Sequence, residues 1–191
     1  MHHFRRVIGY WLPLAVVASG LCFFTYVAVQ QSYRMNANDP QIELAQNDAA
    51  SLKSGAAPTD VVPAKTLDLA TSLSTFTIVF DAQGNILASS ALLDGKTPAV
   101  PVGILTSALK TGENRVTWQP RTGVRLATVV DAYQSASSSG FVLVGRSLRE
   151  AEARIDNLTL MLTLTWICAL LASLVVIILA EYFLLHPKES N

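Results

Sequence analysis

Arg115, Trp118, Arg121 and Arg125 fall within eleven residues, and Asp131 and Tyr133 follow on the same stretch. A guanidinium offers carboxylates and phosphates a planar fork of donors, and an indole offers a face for stacking. Together with Arg146 these residues have the types and spacing of a small-molecule site. They fit equally a cross-strand ion-pair pattern on a solvated sheet face, with Trp118 half in the core, and that plainer reading is preferred. Arg146 has two acidic candidates, Asp131 and Glu150. A structural pair is again preferred to a ligand.

The remaining chemistry is thin. Asp81 and Asp94 each stand beside a Gly-containing turn, where an Asp side chain serves its own backbone better than a metal or a proton transfer. No Gly-rich phosphate loop, metal-spaced cluster or nucleophile–base pair is present in the sequence. His2, His3 and His186 lie at the ends, and Cys22 and Cys168 fall inside apolar runs. The stretch between therefore has no common zinc site, no His-based triad and no disulfide. No catalytic residue, metal or cofactor is expected, and the chain does not read as an enzyme.

Strands must hold such residues. Phe76–Phe80 and Ile86–Ser90 flank Asp81-Ala-Gln-Gly-Asn85, a hairpin with Phe76, Ile78 and Phe80 on one face. Arg115–Gln119, Val124–Tyr133 and Phe141–Arg146 read as three further strands, the first two joined tightly through Pro120–Gly123. Asp39-Pro40 opens a helix with an apolar stripe of Ile42, Ala45, Ala49 and Leu52, solvating Glu43, Gln46 and Lys53 and stopping at Gly55. Residues 55–69 read as loop. Val102–Lys110 suits a short helix with Ile104, Leu105, Ala108 and Leu109 inward. The expected fold is α+β, one five-stranded antiparallel sheet with helices on one side.

Composition adds the membrane. Of 191 residues, 51% are apolar and 15% charged, and the apolar excess sits at the two ends. Between Gln30 and Asn157 there are 11 Lys/Arg against 12 Asp/Glu, so no electrostatic footprint for nucleic acid exists. Val7–Val29 is long enough to cross a ~30 Å hydrocarbon core and has no convincing cleavage site, which makes it an uncleaved signal anchor. Ser147-Leu148-Arg149-Glu150 fits a capping box opening a helix that runs without Gly or Pro to Leu185, about 55 Å. Arg5 and Arg6 ahead of the first span place the N-terminus in the cytoplasm, although Arg146, Arg149 and Arg154 ahead of the second span argue the reverse. The first span takes precedence. The resulting divisions are a cytoplasmic tail at 1–6, a span at 7–29, an extracytoplasmic domain at 30–157, a span at 158–185 and a cytoplasmic tail at 186–191. Ala169, Ala172 and Ser173 would let two membrane helices approach closely, a route to a homodimer.

The order of elements, the Phe76–Ser90 hairpin, Thr117-Trp-Gln-Pro120, Gly123-Val-Arg125 and Gly145-Arg-Ser-Leu-Arg-Glu150 resemble the PAS-like (Cache/PDC) sensor module of two-span bacterial histidine kinase-like receptors. The resemblance spans roughly Asp39 to Asp156 with the flanking spans. It implies a five-stranded sheet with a long N-terminal helix, sensing of a small molecule or partner, a dimer signalling through membrane helices, and a home in the bacterial inner membrane. Such receptors continue into a kinase, whereas only His186–Asn191 follow the second span here. The expectation is a sensor reporting to a separate kinase or other membrane protein. The alternative is an accessory subunit whose domain docks on a larger membrane complex.

Overall fold

The structure is a computed structural model describing the backbone of residues 2–36, 39–136 and 138–185 and the side chains of 4–32, 40–136 and 138–183. The expected N-cap role of the Asp39 side chain and the tail 186–191 lie outside the described residues. The chain divides into two compact units, Met1–Tyr33 with Arg154–Asn191, and Arg34–Ala153.

The first unit holds helix α1 (His2–Asn36) and most of helix α5 (Arg149–Leu185). The stretches Phe4–Ser32 and Arg149–Phe183 are each long and apolar enough to cross a membrane. Their apolar side chains face outward rather than into a core: Phe24 is 77% exposed and Val176 64%. Hydroxyls on these helices turn back on their own backbone, Thr159 to Ile155 O and Thr163 to Thr159 O, which hides polar groups from an apolar surround. Two indoles bridge the pair. Trp11 Nε1 donates to Leu170 O and Ser173 Oγ, both at 3.1 Å, and Trp166 Nε1 donates to Ser19 Oγ at 2.9 Å. Residue numbers rise on one helix as they fall on the other, so the pairing is antiparallel.

The second unit is α+β. Its elements are α2 (Asp39–Lys53), α3 (Pro58–Val61), β1 (Leu67–Asp68), β2 (Phe76–Asp81), β3 (Ile86–Ser89), β4 (Ala91–Leu92), α4 (Val102–Thr111), β5 (Glu113–Arg121), β6 (Val124–Gln134) and β7 (Ser139–Ser147). Five of the strands form an antiparallel sheet in the order β3-β2-β7-β6-β5. Central β2 and β7 are buried on both faces and read as near-continuous apolar runs.

Strand alternation sorts the core into two clusters. Phe76, Ile78, Phe80, Trp118, Leu126, Val130, Phe141 and Leu143 point to one face and meet Leu105 and Ala108 of α4. Val79, Val129, Tyr133, Val142 and Val144 point to the other and meet Ala45, Ala49 and Leu52 of α2. The helices therefore cover both faces, which corrects the one-sided arrangement expected. With both sides of β2 apolar, a helix on one side alone would leave Val79, Val142 and Val144 in water.

Three smaller differences have local causes. Leu109 of α4 is 65% exposed rather than inward, because Leu105 and Ala108 already fill the turn facing the sheet. Residues 55–69 contain α3 and β1, and β1 pairs in parallel with β4 over two residues each, too few for any periodicity to register. Ser147 belongs to β7, and its Oγ accepts the Arg149 amide at 3.3 Å. Glu150 holds Arg146 Nη2 at 2.9 Å.

The two sheet edges are interrupted. β5 carries Pro120, which has no N–H to offer, with a register shift between Trp118 and Arg121. β3 is four residues long, and its register against β2 shifts between Val79 and Phe80.

Candidate functional site

The seven residues singled out above do not converge. Trp118 sits opposite Leu126 and is 4% exposed, wholly in the core rather than half in it. Arg121 Nη1 meets Asp94 Oδ1 at 2.6 Å. Arg115 pairs with Glu113, Arg125 with Glu152, and Arg146 with Glu150. Each of these guanidiniums thus has a carboxylate of this chain, but none of the pairs runs between sheet strands as expected: one lies within β5, one reaches a turn and two reach α5, of which Arg146–Glu150 was a candidate from the sequence. Asp81 and Asp94 also take turn roles. Asp81 Oδ1 accepts the amides of Gln83 and Asn85, and Asp94 sits at φ 53 in the turn closed by Leu93 and Lys96. The Asn85 side chain, bonded to Asp81 Oδ2, holds the Asp81 carboxyl below the usual carboxylate range.

Two of the seven, Asp131 and Tyr133, do share a site. They line a cleft of about 780 Å³ at the end of the sheet where α4 passes into β5 and β6 turns into β7. The hairpin end of β6 and β7 supplies Tyr133, Gly140 and Phe141, while α2 contributes Gln46 and Lys53 across the mouth. Glu113 lies directly opposite Asp131 on the neighbouring strand, and Gln46 Nε2 donates to Glu113 Oε2 at 3.2 Å. Burial pushes the Asp131 carboxyl up, the Glu113 charge adds to this, and Lys53 pulls the other way. Tyr133 is 3% exposed and donates to Phe80 O at 3.4 Å; burial, then the Asp81 charge, pushes its phenol up.

Gly140 makes this packing feasible. A Cβ there would stand 2.0 Å from Phe80 O and 3.0 Å from the Tyr133 hydroxyl. The cleft thus presents the Asp131 carboxylate and the Lys53 ammonium among apolar and backbone groups, charges of both signs that a polar small molecule could engage. Among the described residues no group of three His, Cys, Asp or Glu is placed to hold a metal.

A second constellation lies where β7 passes into α5. The Leu148 amide donates to Arg125 O at 2.9 Å, and Arg125 also reaches Glu152 on the first turns of the helix. Arg146 Nε donates to Leu73 O at 2.9 Å while its Nη2 takes Glu150. Arg149 Nη1 donates to Ala70 O at 3.0 Å and Nη2 to Thr71 O. The first turn of α5 is thereby tied both to β6 and to the loop ahead of β2. Sequence reading offered Arg125 and Arg146 as ligand candidates while preferring structural pairs, and the structure pairs both with acids at this junction. Gln46, Lys53 and Glu113 were not singled out, because only the packing of α2 against the sheet brings residues so distant in the chain together.

Compared with protein-family models and with curated protein sequences, the chain matches none.

Proposed function

We propose that this chain is a membrane-anchored sensor. Its two apolar helices hold the sheet domain outside the cytoplasm of a bacterial cell. The domain takes a small molecule in the cleft beside Asp131 and Tyr133, and α5 passes the change to a separate membrane partner. The observation that carries this reading is the junction at Arg125, Arg146 and Arg149, where the start of an apolar helix is bonded to two separate parts of the sheet domain. A helix serving only as a tether needs no such ties. The five-stranded sheet and the preceding helix α2 agree with the resemblance to PAS-like (Cache/PDC) modules.

Both cysteines lie in the apolar helices, so a single exposed cysteine reports the domain's side of the membrane. In intact cells, Ser138→Cys on the full chain should react with a membrane-impermeant maleimide. The purified full chain in micelles should gain several degrees of thermal stability from a member of a metabolite library, and Tyr133→Ala should abolish the gain. Labelling only after lysis would overturn the orientation. A library without effect, with a membrane complex co-purifying through the domain, would replace sensing by the accessory-subunit reading.

A further inference from the structure

Asp48 lies on the face of α2 that packs against the sheet and is 7% exposed. Its carboxylate receives one side-chain hydrogen bond, from Thr77 Oγ1 at 3.3 Å, and takes part in none of the ion pairs among the described residues. Thr77 is fully buried, its amide and carbonyl both engaged by the Ser90 hydroxyl. Two turns earlier on the same helix face, Gln41 is also buried, and its Oε1 has no partner among the described residues. The seat of α2 thus lacks, among the described residues, a donor for Gln41 Oε1, and at Asp48 it holds a buried carboxylate that can take up a proton.

The charges around this seat are committed elsewhere. Glu43 and Lys53 on α2 itself are exposed. On the α2-facing side of the sheet, β2 carries Asp81, bonded within its own turn, and β5 carries Glu113 and Arg115, paired with each other. β6 carries Arg125, held by Glu152, then Asp131 and Tyr133 at the cleft. β7 carries Arg146, held by Glu150 and Leu73 O, and Asp60 of α3 accepts the Ala57 amide. None of these offers Asp48 a counter-charge.

We propose that Asp48 is a proton-sensitive latch: protonated, it lets α2 seat fully on the sheet, and ionised, it loosens that seat. A neutral carboxyl in place of a carboxylate removes the cost of burying an unpaired charge. Burial pushes the Asp48 carboxyl up to about 6, the Thr77 hydrogen bond opposing the rise. The raised value belongs to the seated state, so seating is strongest in acid and weakens as pH climbs through about 6. The latch is a property of the folded domain and holds whatever the domain reports to.

Amide hydrogen exchange on the full chain in nanodiscs, corrected for the intrinsic pH dependence of exchange, tests the latch. Protection of amides 44–52 should fall about tenfold between pH 5 and pH 7. Asp48→Asn should leave α2 protected across the range with no pH step. Thr77→Val should keep the step and move it to higher pH, since it removes the hydrogen bond that favours the ionised form. Asp94→Asn, which alters only an exposed carboxylate paired with Arg121, should keep the step unchanged. A ¹³C titration of the wild-type Asp48 carboxyl gives the answer without any variant. A carboxyl titrating near 4, wild-type protection without a pH step, a step surviving in Asp48→Asn, or one abolished in Asp94→Asn would each overturn the proposal.

Discussion

At the scale of single residues, two glycines of β7 leave no room for a methyl group. A Cβ on Gly140 would overlap the Phe80 carbonyl, and one on Gly145 would stand 2.4 Å from Phe76 Cζ. Backbone cannot swing aside as a flexible side-chain tip can. Gly140→Ala should therefore cost about 2–4 kcal/mol and Gly145→Ala about 1–3 kcal/mol, read from urea denaturation of the full chain in micelles. Asp131 supplies a pH prediction. Its folded-state value is raised, so its contribution is fully present below the ordinary carboxylate value and is lost as pH rises through the folded one. Asp131→Asn should then stabilise the protein at pH 7 and make no difference near pH 3. The sequence shows that both positions are glycine and acid, but not what stands opposite them. Only the register of β7 against β2 and β6 puts Phe80 O over Gly140.

At the scale of elements, α2 is held on the sheet by the packing of its inner face. Leu52 is 2% exposed among Ala45, Ala49 and the valines of the sheet, so Leu52→Ala should cost about 2–4 kcal/mol in the same denaturation experiment. At the start of α5 the expected effect is smaller and local. Arg149→Ala removes two donors from exposed carbonyls, a loss of about 0.5–1.5 kcal/mol. Its clearer sign should be faster amide exchange in residues 70–75. Individual elements were largely legible, because the stripe of α2 and the alternation of β2 and β6 are written in residue types. The stripe says that a helix has an inner side; it does not say which sheet face receives it. Asp48 stands three residues after Ala45 and next to Ala49, so the same stripe already placed an acid on the buried side. The junction was hidden for a different reason: Arg146 and Arg149 donate to main-chain carbonyls of residues 70–73, and a carbonyl leaves no trace in sequence.

At the scale of the molecule, the long apolar helices were legible from length and composition, and their bonding was not. Trp11 and Trp166 each reach a serine on the opposite helix. In hydrocarbon, where water cannot take over, each bond is worth about 0.5–2 kcal/mol to the pairing. Trp11→Phe and Trp166→Phe, with steric trapping in bicelles as the measurement, should each weaken the helix pair by that amount.

The edges of the five-stranded sheet bear on how copies of this protein meet. A proline and a slipped register interrupt one side beyond Trp118, and a four-residue strand offers a visiting chain little on the other. Crowded heads should not stitch themselves into ribbons by adding strand to strand. Concentrated preparations should accordingly stay free of thioflavin-positive fibrils.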